Sequence, residues 1–178
     1  HPESVDLDRL SRHVFTSSSC GLCGKATIDA IRTQQMGRTL LPTSVTAATL
    51  LALPAQLRLR QSTFETTGGL HAAALFTPSG ELAIVREDVG RHNAVDKVLG
   101  RALLDRRTDL DQLGLLVSGR IAFEIVQKAL AARIGLIAGI SAPTSLAVDL
   151  ARDSGQTLVG FLREGRFNVY SGQVTESS

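Results

Sequence analysis

From His71 onward the chain alternates short, wholly apolar runs with longer stretches of mixed polarity, and this alternation restricts the fold more than any other feature. Runs such as Leu115-Leu116-Val117 and Leu136-Ile137-Ala138 have no polar face. As strands they must be covered on both sides, the condition of a parallel or mixed sheet between helices. The predicted order is helix Asn93 to Arg106, strand Leu113 to Ser118, helix Ile121 to Ile134, strand Leu136 to Ile140, helix Thr144 to Ser154 and strand Thr157 to Leu162, joined by right-handed crossovers. Gly135 and Gly155 fall just beyond two of these helices, where left-handed caps are expected. Ahead of them, Ala73 to Thr77 and Leu82 to Arg86 flank Pro78-Ser79-Gly80-Glu81, the signature of an antiparallel hairpin. A last strand, Phe167 to Tyr170, is placed beside its predecessor, and Thr175 to Ser178 are expected to fray. Near the other end, Ala47, Leu50, Leu51, Leu53 and Leu57 give Thr46 to Arg60 a helical period, with Pro54 expected to kink or break it. This helix should cover the sheet.

The bulk numbers fit one domain. A chain of 178 residues buries about 70% of its unfolded surface. Nineteen basic residues against 17 acidic give a net charge of +2, with six Phe, one Tyr, no Trp and no basic run. Nucleic-acid binding is therefore not expected. No apolar stretch reaches the length of about 18 residues that a membrane helix needs, and the first residues do not read as a signal peptide. Two cysteines make no disulfide framework, so a reducing cytoplasm is the expected compartment. A start at His1 rather than Met admits sequence further upstream.

Both cysteines sit in Ser17-Ser18-Ser19-Cys20-Gly21-Leu22-Cys23-Gly24-Lys25. A helix is predicted from about Lys25 through Arg32, so the thiols are expected on a mobile loop (17 to 25) at a helix N-terminus. There free N–H groups, the macrodipole and Lys25 favour thiolate, lowering a thiol from about 8.5 to roughly 3.5 to 7.5. Zinc would require two more ligands, but His1, His13, His71 and His92 lack the spacing of a second half-site. A thioredoxin-like pair would need a βαβ start, and a buried structural pair would need more to pack against than glycines. A phosphate-binding P-loop is excluded, since Ser19 replaces its first glycine and Ala26 its hydroxyl. A nucleophilic or sulfur-carrying cysteine remains.

Ligands of open α/β sheets sit beyond the carboxyl ends of the strands. Three polar loops are expected there: Arg86-Glu87-Asp88-Val89-Gly90-Arg91-His92-Asn93, Ser118-Gly119-Arg120 and Ser141-Ala142-Pro143-Thr144. Hydroxyls, helix N–H groups and arginine forks all suit phosphate. The competing reading is structural: Glu87, Asp88, Arg91 and Asp96 as solvated ion pairs, Ser141 and Thr144 as helix caps, and Thr67-Gly68-Gly69 ahead of His71 as a tight turn.

These stretches, with Cys20-Gly21-Leu22-Cys23-Gly24, Thr67-Gly68-Gly69-Leu70-His71-Ala72-Ala73, the block Arg86 to Lys97, Gly160-Phe161-Leu162-Arg163 and Asn168-Val169-Tyr170, together resemble the FdhD family of sulfur carriers. The resemblance runs from Cys20 to about Ser171, and members are normally longer at the N-terminus. It implies a cytidine deaminase-like α/β fold, three-layer α/β/α with a mixed sheet. It implies that Cys20 carries sulfur as a persulfide from a cysteine desulfurase, with Cys23 assisting or accepting it in relay. The acceptor would be Mo-bis(molybdopterin guanine dinucleotide), a bound substrate passed on to formate dehydrogenase, with no intrinsic metal in the carrier. The family's cofactor segment corresponds to Phe161-Leu162-Arg163-Glu164-Gly165-Arg166, to which Arg120, Ser118, Ser141 and His71 are added as candidate contacts for the guanine nucleotide. Two nucleotide arms per cofactor point to a homodimer. Deaminase chemistry itself is not expected, because His71 is followed by Ala72-Ala73 and the C-x-x-C precedes it. A non-catalytic cofactor chaperone is the alternative.

Overall fold

The structure is a computed structural model and describes residues 44–176. Its helices are α1 (Ala47–Leu59), α2 (Ser62–Thr67), α3 (Arg91–Leu104), α4 (Phe123–Ala131) and α5 (Ser145–Ser154). Its strands are β1 (His71–Phe76), β2 (Leu82–Asp88), β3 (Gly114–Val117), β4 (Leu136–Gly139), β5 (Thr157–Arg163) and β6 (Arg166–Ser171). Among the described residues the strands form one six-stranded sheet in the order β2-β1-β3-β4-β5-β6. β3, β4 and β5 are parallel, while β1 runs against both of its neighbours and β6 runs against β5. The expected hairpin and alternation are present, as a mixed α/β sheet.

The two-residue period of the strands divides the core. Ala72, Ala74, Phe76, Leu116, Leu136, Ala138 and Val159 pack with Leu50, Leu53 and Leu57 of α1. The alternate positions Ala73, Leu75, Leu115, Val117, Ile137 and Leu158 are equally buried and face the other side. There α3 contacts β1 and β2, and α4 packs on α5. Helices therefore cover both faces, as strands without a polar side require. Among the described residues no helix is long and apolar enough to cross a membrane.

Three expectations need correction. Helix α1 runs unbroken through Pro54, capped by the Thr46 hydroxyl, which accepts from the Thr49 N–H at 3.2 Å. An interior proline costs about 3 kcal/mol, but Leu50, Leu53 and Leu57 are wholly buried on either side of it, each worth about 1.5–3 kcal/mol. Burial wins. Gly135 does not take the left-handed conformation that Gly155 (φ 71°) does; after α4 that role falls to Arg133 at φ 62°. The Ile134 and Arg133 N–H groups donate to the Ala129 and Leu130 carbonyls, closing a Schellman turn two residues early and leaving Ile134 fully buried. Thr175 is tied down rather than frayed: its N–H and hydroxyl donate to Val45 O, and its carbonyl accepts from the Ala47 N–H.

Helix α2 was not anticipated, because Ser62-Thr63-Phe64-Glu65-Thr66-Thr67 has no apolar period. It is held from outside, by the Glu87 carboxylate accepting from the Thr63 and Phe64 N–H groups at 3.0 and 2.8 Å, and it ends at left-handed Gly68.

Gly114 lies so close to buried Phe76 that a Cβ there would sit 2.2–2.8 Å from three ring atoms. Gly114→Ala is expected to destabilise the protein by about 1–3 kcal/mol, read as a lowered urea midpoint, with Phe76→Leu in the same chain recovering part of the loss.

Candidate functional site

Because β1 runs opposite to its neighbours, its first residue lies level with their last. His71 pairs with Asp88, Ala73 with Val117, Val117 with Gly139, and Gly160 with Asn168. The ends of β2, β3, β4 and β5 thus share one margin of the sheet with the starts of β1 and β6. The three polar loops expected to converge do so here.

Each loop is fixed by its own hydrogen bonds. Asp88 ends β2, and its Oδ1 accepts from the Gly90 N–H at 2.9 Å and from Asn93 Nδ2 at 3.1 Å. Lys97 Nζ stands 2.5 Å from its other oxygen and also donates to Glu87 O. The lysine above all, then the Gly90 amide, holds the Asp88 carboxyl down at about 2. This network pins the turn into α3. In the next loop, the Ser118 N–H donates to Ala72 O and the Ser118 hydroxyl accepts from the Ala72 N–H at 2.8 Å. The serine therefore clips β3 to β1. Buried Gly119 follows, and a Cβ on it would lie 3.1 Å from His71 Nδ1 and 3.2 Å from Arg91 Cβ. A side chain there would have to push against both.

Further along, Ile121 N–H donates to Ala142 O and Thr144 N–H to Ile121 O, joining the second loop to the third. Thr144 also caps α5, its hydroxyl accepting from Ala147 N–H. The Ser141 carbonyl accepts from Phe161 N–H at 3.1 Å. A Cβ on Gly160 would lie 2.8 Å from Pro143 and 3.0 Å from the Tyr170 ring. Beyond it Phe161 takes φ 52°, a left-handed conformation in a residue with a full side chain, and the residue is 37% exposed. Such strain persists where surrounding structure imposes it, commonly at ligand sites.

The margin therefore gathers His71, Ser118, Arg120, Ser141 and the segment Phe161 to Arg166. Arg120, Arg163, Glu164, Gly165 and Arg166 are exposed. Leu162 is wholly buried in the core with α1, so only its backbone is available to a ligand. Much of the structural reading also holds: Glu87 supports α2, Asp88 pairs with Lys97, and Asp96 pairs with Lys128. Arg91 does not fit that reading, for its Nε is buried without a hydrogen-bond partner. Burial, and then the charge of Arg91, lowers the pKa of neighbouring His92, whose Nε2 lies 3.9 Å from Glu124. Gly119 was expected in the second polar loop but given no role of its own; its close approach to His71 and Arg91 depends on tertiary packing. Cys20 and Cys23 lie outside the described residues.

The fold and this margin define a mixed α/β protein whose polar loops gather along one edge of the sheet. The chain belongs to the FdhD/NarQ family, whose profile matches residues 2–175. It is 58% identical over 165 residues to the sulfur carrier protein FdhD of Streptomyces coelicolor, covering 92% of this chain and 58% of that protein. It is 49% identical over 160 residues to the protein of the same name from Sulfurisphaera tokodaii, covering 90% and 61%. A crystal structure from Desulfotalea psychrophila, described as a formate dehydrogenase accessory protein, superposes with a TM-score of 0.70 at 31% identity, covering 78% of this chain and 60% of that one. The chain spans about three-fifths of the length of these curated relatives.

The Asp88 network makes a pH prediction. A folded pKa of about 2 against the ordinary 3.8 means that the carboxylate's stabilising share is complete above about 4 and fades as pH falls through 2. In a carboxyl NMR titration Asp88 should titrate near 2. In Lys97→Met it should move up, yet stay below 3.8, because the Gly90 and Asn93 bonds remain.

Proposed function

We propose that this chain is the sulfur-carrying portion of an FdhD-type protein, with the strand-end margin binding the acceptor and Cys20 carrying the sulfur. In the first step the Cys20 thiolate attacks the outer sulfur of a persulfide on a cysteine desulfurase. The new S–S bond forms as the old one breaks, and the desulfurase cysteine leaves as thiolate. Rate follows the thiolate fraction and access of Cys20. Cys23 assists as a second thiol, and Gly21 and Gly24 are the hinges of the cysteine loop. The acceptor is Mo-bis(molybdopterin guanine dinucleotide), delivered afterwards to formate dehydrogenase in the cytoplasm. In the same reading the chain is a single cytidine deaminase-like domain that works as a homodimer, one nucleotide arm per subunit.

The geometric observation that carries this reading is the level row of strand ends. Exposed Arg163 and Arg166, which face each other in register across the tip of the β5–β6 hairpin, stand beside the half-open Phe161 ring. Planar guanidinium forks suit pyrophosphate oxygens, and an aromatic face suits a purine. Ser141 and Arg120 line the same margin. The names of the relatives, sulfur carrier protein FdhD, support the sulfur half, as does the C-x-x-C itself.

Incubated with a desulfurase and cysteine, the chain should gain about 32 Da on Cys20, one sulfur atom on the ladder of cysteine modification. Cys20→Ala should gain none and still bind guanosine diphosphate. Nucleotide binding with no mass gain in the parent chain would favour the non-catalytic chaperone instead.

A further inference from the structure

The edge of the sheet opposite the margin holds the end of β1 and the starts of β3, β4 and β5, since Phe76 lies level with Gly114, Gly114 with Leu136 and Leu136 with Thr157. Helices α3 and α4 end there, each leading into the next strand. On the last turn of α3, beside wholly buried Ala102, Leu103 and Leu104 are 76% and 77% exposed. Both helices close on an arginine, Arg106 (φ 53°) and Arg133 (φ 62°), in the left-handed conformation that Gly155 supplies after α5. The Arg107 N–H donates to Ala102 O and the Arg106 N–H to Leu103 O, the same turn that follows α4. Glycine takes this conformation without strain, so an arginine held in it twice on one edge points to a use for the side chain. Both arginines are exposed. Neither has an ion-pair partner among the described residues, whereas Arg101 and Arg107 are taken by Asp105 and Asp109.

The chain that bears the cysteines joins the described fold at this same edge. Thr175, just beyond β6, is bonded to Val45 and Ala47, and Thr49, in the first turn of α1, lies 2.9 Å from the Cβ position of Gly80 in the turn between β1 and β2. Cys20 and Cys23 lie upstream of that junction in the sequence. We infer that this edge, through Leu103, Leu104, Arg106 and Arg133, is the docking surface for the enzyme that donates sulfur, which would meet it with an apolar patch bordered by carboxylates. The identity of the partner rests on the sulfur-carrier reading above. Apolar contact with a charged rim is the usual make-up of a protein interface, and opposite charges across the rim speed the encounter. A membrane fits less well, because Asp105, Asp109 and Glu81 stand on the same edge and would face anionic headgroups. Donor and acceptor are thereby kept at opposite ends of the strands.

The test is the affinity of the whole chain for a cysteine desulfurase by biolayer interferometry, with loading of Cys20 followed by mass in parallel. The double variants Leu103→Asn with Leu104→Asn, and Arg106→Gly with Arg133→Gly, are each expected to weaken binding at least fivefold. They should raise the desulfurase concentration that half-saturates loading by the same factor, while loading by free cysteine persulfide, which needs no docking, is unchanged. The glycine pair should also keep or raise the melting temperature, which separates a docking role from a structural one. Arg60→Gln, just beyond the C-terminus of α1, should change the affinity less than twofold. Unchanged affinity in both double variants overturns the assignment, as does a parent chain that is loaded by cysteine persulfide yet does not bind the desulfurase. Binding to phosphatidylserine vesicles in place of the desulfurase, lost with Arg106 and Arg133, would make the edge a lipid surface and overturns it too. A chain that takes no sulfur from either source contradicts sulfur carriage itself, while desulfurase affinity, read without transfer, still decides the docking surface.

Discussion

The insertion of β1 between β2 and β3, antiparallel to both, is the constraint on which the rest of the structure depends. It turns the start of one strand toward the ends of its neighbours, so that His71, Asp88 and Ser118 come to one margin although they are far apart in sequence. A parallel β1 would carry His71 to the opposite edge. The insertion is maintained by the hairpin through Pro78-Ser79-Gly80, where Thr77 and Gly80 close the turn, and by the double hydrogen bond between Ala72 and Ser118 at the other end.

The margin is held by backbone bonds and close packing more than by charge. Exposed pairs such as Arg101–Asp105 and the Asp96–Lys128 pair contribute little, typically under about 1 kcal/mol. Glycines at the strand ends matter more. Gly139 passes within 2.6 Å, at its missing Cβ, of Ile121, and Gly160 within 2.8 Å of Pro143. These contacts draw the second and third loops against the sheet and bring Phe161 beside Ser141. Loops packed in this way hold the exposed Arg163 and Arg166 side chains at the strand-end margin.

Sequence patterning was sufficient wherever burial decided the outcome. The wholly apolar runs became β3 and β4, the hairpin formed where Pro and Gly marked it, and the three polar loops came together. It failed where a distant partner overruled local preference. Pro54 argues against a helix locally, but the sheet beneath α1 takes up three leucines. The α2 segment has no helical pattern of its own and depends on Glu87, more than twenty residues away. Thr175 is fixed by Val45 across almost the whole chain. At the site, residue types pointed to anion chemistry, but no local pattern could show that Gly119 packs against both His71 and Arg91. That contact exists only once β1, β3 and α3 are packed.

The central claim is that the strand-end margin is where this protein takes its ligand. A backbone-amide NMR titration of the chain with guanosine diphosphate tests it most directly. Perturbations should cluster at His71, Gly90, Gly119, Ser141 and Phe161. Perturbations confined to α1 or to the far end of α3 around Leu103 and Leu104, or none at saturating nucleotide, would contradict the account.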